Sequence, residues 1–131
     1  MEIFKPIKGY EGLYEVSNLG RVKSLPKYHH TRFSGYTEKE RILKCRIDSY
    51  GYQMVTLCKD KRQKNYLIHR LVANTFLENP YNYDSINHKD ENKLNNCVEN
   101  LEFCDRYYNN NYGTRNKRIS NTLRNKKRLE V

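Results

Sequence analysis

The stretch Ile86-Asn87-His88-Lys89-Asp90-Glu91-Asn92-Lys93-Leu94-Asn95-Asn96-Cys97-Val98-Glu99-Asn100-Leu101-Glu102-Phe103, followed by Tyr108-Asn109-Asn110, decides how this chain is read. Ser85 to His88 has the length of a short strand and ends on a histidine. Lys89 to Glu99 is crowded with amides. That is loop chemistry, because Asn side chains bond nearby backbone and tolerate left-handed conformations. A helix is expected to begin near Cys104 or Asp105 and to run through Asn109. Taken singly, a histidine is more often structural than catalytic, and an Asn-rich loop is turn chemistry. Their order along the chain is what singles this segment out.

Working outward, Arg70 to Leu77 carries Leu71, Val72, Thr75 and Phe76 at helical spacing, and Asn79-Pro80 is expected to end that helix. Upstream, short strands are predicted at Leu13–Ser17, Arg21–Leu25, Arg41–Ile47, Gln53–Cys58 and Asn65–His69. Turns fall at Asn18-Leu19-Gly20 and Tyr50-Gly51, and a hairpin tip at Asp60-Lys61-Arg62-Gln63. Residues 27–40 are polar and aromatic without a period and read as a mobile loop. The fold class is α+β: a small antiparallel-sheet module over residues 1–68, a second unit over 69–112, and a basic tail over 113–131.

The chain has 131 residues, room for one compact domain with a tail. Lys and Arg number 25 against 15 Asp and Glu, a formal charge of +10, and 37% of residues are hydrophobic. No run approaches the ~18 apolar residues of a membrane span, and Met1-Glu2-Ile3-Phe4-Lys5 does not read as a secretory signal. The expectation is a cytoplasmic protein. Surplus cations most often meet phosphate, because displacing counterions from nucleic acid gives strong, salt-sensitive affinity, although a solubilising surface is the plain alternative. The surplus concentrates at the end, where Arg115, Lys117, Arg118, Arg124, Lys126, Lys127 and Arg128 face one acid, Glu130. Cys45, Cys58, Cys97 and Cys104 lack the close pairs of a zinc site, so separate reduced thiols are expected. A zinc-stabilised nucleic-acid binder is the third-ranked reading.

The ordered motif resembles the HNH nucleases, the ββα-metal or His-Me finger group, in their homing and phage types. Asn87-His88, the amides Asn92 to Asn96, Asn100-Leu101-Glu102-Phe103 and Asn109 match the family pattern; Asn100 follows His88 by twelve residues and Asn109 by twenty-one. Phe4 to Leu25, with Gly9-Tyr10-Glu11-Gly12-Leu13-Tyr14-Glu15-Val16-Ser17-Asn18-Leu19-Gly20-Arg21-Val22 at its centre, looks like the intron-nuclease modular DNA-binding domain that precedes such nucleases. Ile68-His69-Arg70-Leu71-Val72-Ala73-Asn74-Thr75-Phe76 matches their usual entry into the nuclease half.

The resemblance implies a ββα-metal core in residues 69–112 and metal-dependent endonucleolytic cleavage of double-stranded DNA, leaving a 5′ phosphate and a 3′ hydroxyl. It gives His88 the role of general base, a task suited to a neutral imidazole near pH 7. Asn87 and Asn109 would hold one Mg²⁺ or Mn²⁺ through amide oxygens, and Asn100 would fix the loop that holds His88. Asn87 stands where some relatives have Asp, with Asp90 a candidate substitute ligand, and Glu91 stands where Gly is common. For DNA contact the candidates are Arg21, Lys23, Lys59, Lys61, Arg62 and Lys64, with Arg115, Lys117 and Arg118 in the tail. One active site per chain implies nicking by a monomer, or double-strand cleavage by a dimer or by two visits. The competing reading is a DNA-binding protein of the same fold that does not cleave.

Overall fold

The computed structural model describes residues 1–111; the predicted basic tail, including Arg115, Lys117 and Arg118, lies outside the described residues. Among the described residues no helix is long and apolar enough to cross a membrane.

Strands β1 (Phe4–Pro6), β2 (Tyr14–Ser17) and β3 (Val22–Ser24) form an antiparallel sheet. It is completed beyond a hairpin, β4 (Lys27–His30) and β5 (Gly35–Glu38), by β6 (Arg41–Ile42), in the order β1-β2-β3-β6. Alternation explains β2 and β3. Tyr14, Val16 and Val22 are buried, while Glu15 and Lys23 pair on the other face, 3.6 Å apart. A second sheet follows, with β7 (Arg46–Ile47), β8 (Gln53–Lys59) and β9 (Arg62–Leu67) in that order. Val55 and Leu57 are its inward residues on β8.

Several expectations are corrected. Residues 27–40 form the β4–β5 hairpin; its strands pair residue for residue, and the His29 and Tyr36 rings stack at 4.9 Å. The run Arg41–Ile47 divides between the two sheets. The β8–β9 turn is the two residues Asp60 and Lys61, both with positive φ (53° and 63°), as a tight hairpin turn requires. His69 leaves its predicted strand and enters helix α1 (Ile68–Phe76), which starts two residues earlier than its spacing suggested. Ile68, Leu71 and Val72 define the buried stripe of that helix.

Helix α1 packs against β2, β8 and β9 and against the final hairpin, β10 (Ser85–His88) and β11 (Leu101–Cys104). The same buried cluster therefore joins Val16, Val22 and Leu57 of the sheets to Ile86 and Leu101 of the hairpin, and it crosses the expected boundary at residue 68. Strand β11 occupies residues that composition left unassigned after the amide loop. Helix α2 (Arg106–Asn111) begins after Asp105, whose Oδ1 accepts the Tyr108 backbone N–H at 2.6 Å as an N-cap.

Candidate active site

In the β10–β11 ladder Asn87 faces Glu102 and His88 faces Leu101. Strand alternation sends the two neighbours to opposite faces. His88 is buried on the α1 side, against the His69 ring at 5.1 Å and the Tyr52 ring at 6.0 Å. Asn87 is also buried, and its Nδ2 donates to Glu102 Oε1 at 2.9 Å, which turns its Oδ1 away from that carboxylate. Helix α2 packs on β10 and carries Asn109, which is half-buried.

Amide chemistry shapes the loop between the strands. Asn100 Oδ1 accepts the Asp90 backbone N–H at 3.1 Å, and its Nδ2 donates to Asn95 O and to Asp90 Oδ1, both at 2.9 Å. Asp90 Oδ1 also accepts the Asn92 N–H, and Oδ2 accepts from Asn95 Nδ2 at 2.8 Å. Both carboxylate oxygens of Asp90 are thus occupied in holding the loop. These donors keep its carboxyl below the usual range, Asn95 foremost.

Asn96 was not singled out by the sequence. It is 3% exposed, its Oδ1 lies 2.9 Å from His88 Nε2, and its Nδ2 donates to Gln53 Oε1 at 2.8 Å. Burial lowers the pKa of His88, with Asn96 and Asp90 pulling the other way, so the ring is neutral at pH 7. His69 is depressed further, to about 3, first by burial and then by the neighbouring His88 and Arg70. Its Nδ1 is buried without a hydrogen-bond partner.

The four cysteines are free thiols, and among the described residues no three His, Cys, Asp or Glu side chains gather as a metal site. Asn87, the Glu102 carboxylate it donates to, and Asn109 on the helix that packs on β10 carry oxygen atoms of another kind. Such a hard set suits a cation that keeps most of its waters. Glu102 was quoted in the motif but given no role; only the strand register pairs it with Asn87.

The predicted DNA contacts divide. Arg21 forms a two-pronged ion pair with Glu2. Lys23 lies between Glu15 and Glu40 and over the Phe4 ring at 4.3 Å. Lys59 donates to Gly9 O at 2.7 Å. Lys61 and Arg62 are exposed at the hairpin tip, and Lys64, over the Tyr66 ring, lines a groove of about 1030 Å³. Lys5, Lys8 and Arg70 line it too, against one carboxylate, Glu11. Those three cations sit on β1, the turn after it and α1. Arg70 lies far from Lys5 and Lys8 in sequence, and the three form no charge run.

The NUMOD4 motif matches residues 2–58. The chain is 41% identical over 100 residues to the DNA endonuclease I-HmuI of Bacillus phage SP01, covering 76% of this chain and 51% of that protein. It is 48% identical over 64 residues to the uncharacterized HNH endonuclease L245 of Acanthamoeba polyphaga mimivirus, 49% of this chain and 19% of that one. A solved structure, of DNA binding and cleavage by the HNH homing endonuclease I-HmuI, is similar with a TM-score of 0.67 at 36% identity. That match covers 82% of this chain and 55% of the other. The chain thus spans about half the length of the phage enzyme and less of the viral one.

Proposed function

We propose that the chain is an HNH homing-type endonuclease that hydrolyses phosphodiester bonds of double-stranded DNA, with His88 activating the attacking water. The observation that carries this reading is the state of His88: a neutral ring at a strand end, its Nε2 bound to the oxygen of an amide. Nε2 then carries the proton, and Nδ1 carries the lone pair that takes one from water. Asn100 serves this chemistry indirectly, by closing the loop between the two strands.

Asn87 and Asn109 would hold one Mg²⁺ or Mn²⁺, and the Glu102 carboxylate supplies nearby the charge that Asn87 lacks. A divalent cation bound there stabilises negative charge on the scissile phosphate and the departing 3′ oxygen. Asn87 can present only its oxygen in that direction, because its nitrogen is committed to Glu102. The duplex backbone would lie along the Lys5, Lys8, Lys64 and Arg70 groove, where cations outnumber carboxylates, with Lys61 and Arg62 extending the contact. One site per chain makes the elementary product a nick.

Incubating supercoiled plasmid with the protein and Mg²⁺ or Mn²⁺ tests this. Nicked circles are expected, and His88→Ala should slow their formation by about 10² or more while retaining DNA in a gel shift. Equal cleavage by His88→Ala would remove His88 from the role. If neither protein cleaved while both bound DNA, the chain would be a binder only.

A further inference from the structure

The residue that orients His88 is itself oriented from the N-terminal module. We propose that Gln53, acting through Asn96, decides which ring nitrogen of His88 bears the proton, making Gln53 and Asn96 positioning residues for the base. The proposal rests on the reading of His88 as that base.

An amide side chain has a donating and an accepting end. Asn96 Nδ2 is spent on Gln53 Oε1 at 2.8 Å, so the end turned toward His88 is Oδ1. An oxygen can only accept, and its 2.9 Å contact therefore requires a proton on Nε2. Without Gln53 the amide can turn over and offer N–H to Nε2. The ring would then protonate on Nδ1, the nitrogen the reaction needs bare. Little else can substitute, because Asn96 and His88 are 3% and 6% exposed and water has scant access. Tyr52 stacks on the His88 ring at 6.0 Å, and the His69 ring lies tilted by 56° to it at 5.1 Å. Gln53 stands at the start of β8, forty-three residues before Asn96, within the span that the NUMOD4 motif matches. The module regarded as the DNA-binding part thus reaches into the catalytic centre.

The test is the ¹⁵N–¹H long-range correlation spectrum of metal-free, histidine-labelled protein, with the His88 signals assigned by their loss in His88→Ala. Wild type should show the Nε2–H tautomer. Gln53→Leu should lose it or show a mixture, and Gln53→Glu, which keeps an accepting oxygen, should restore it. In plasmid nicking Gln53→Leu should lower kcat about tenfold or more with DNA affinity unchanged. An unchanged tautomer in Gln53→Leu overturns the proposal. Should that variant fold poorly, Asn96→Leu offers a second route, since it leaves no oxygen opposite Nε2. The Nε2–H signal should then be lost or mixed, and its persistence there overturns the proposal as well. The spectrum needs neither metal nor DNA, so it remains decisive even if the wild-type protein fails to cleave.

Discussion

Gly20 and Asn96 touch with no room for a side chain between them: a Cβ on Gly20 would stand 2.9 Å from Asn96 Cβ and 3.1 Å from its carbonyl oxygen. Gly20 is left-handed at φ +88° and closes a turn whose Leu19 and Arg21 N–H groups both donate to Ser17 Oγ. Beside it, the Val98 N–H donates to Asn18 O at 2.8 Å. Gly20→Ala should cost about 1–3 kcal/mol in urea unfolding from backbone strain and overlap. Nicking should fall by more than the reduced folded fraction explains, because the displaced neighbour is Asn96. A variant with wild-type stability and rate would show that the close approach has no consequence.

Acid should unfold the protein partly through His69. Its folded pKa, about 3, lies below the unfolded value of 6.5, so the stability tied to its neutral form is complete above pH 6.5. That stability is lost as pH falls from 6.5 toward 3, by about 1.4 kcal/mol per pH unit for one proton. His69→Phe keeps a ring beside Tyr52 and His88 and removes both the titration and the unpartnered Nδ1. Between pH 7 and pH 5 the variant should gain about 2 kcal/mol relative to wild type by denaturant titration. Parallel curves for the two proteins would contradict this account.

Asn87→Asp should have opposite effects with and without metal. In metal-free protein it replaces the Nδ2–Glu102 hydrogen bond with two carboxylates in contact, costing about 1–3 kcal/mol at neutral pH. Added Mn²⁺ should raise its Tm more than it raises that of wild type, because the new charge faces the proposed cation. Thermal scans with and without Mn²⁺ decide the matter, and equal metal-induced shifts would argue against a cation at Asn87.

Reversing Lys5, Lys8 and Arg70 together to Glu should weaken DNA binding and flatten its salt dependence by about 0.9 in log–log slope for each phosphate no longer neutralised. Arg21→Ala should change that slope little, since its guanidinium is already paired with Glu2. Fluorescence anisotropy across a salt series reads both. An Arg21→Ala effect exceeding that of the triple variant would place the duplex elsewhere.

Strand β10 and helix α1 were legible because an apolar stripe and a terminal histidine announce themselves locally. The β4–β5 hairpin was not. Tyr28 and Tyr36 are both 58% exposed and Phe33 is 91% exposed, so neither face is buried and no alternation is written into Lys27 to Glu38. Asn96 was hidden for a different reason. Among so many amides in Lys89 to Glu99, only burial distinguishes the one that bonds His88, and burial depends on residues far away in the chain. Gln53 and Glu102 likewise gain their roles from pairing across space. A motif can be quoted whole while the partners that make it work lie outside it or go unassigned within it.

Helix α1 buries one stripe against both sheets and the final hairpin, and that sharing limits how such proteins can be rebuilt. A chimera joined at residue 68, setting a foreign module on residues 69–111, would strip Ile68, Leu71 and Val72 of their lining and leave the amide loop unsupported. Successful exchanges should therefore carry the Ser17–Arg21 turn, Gln53 and the loop at Asn96 across as a matched set, whatever target the new module reads.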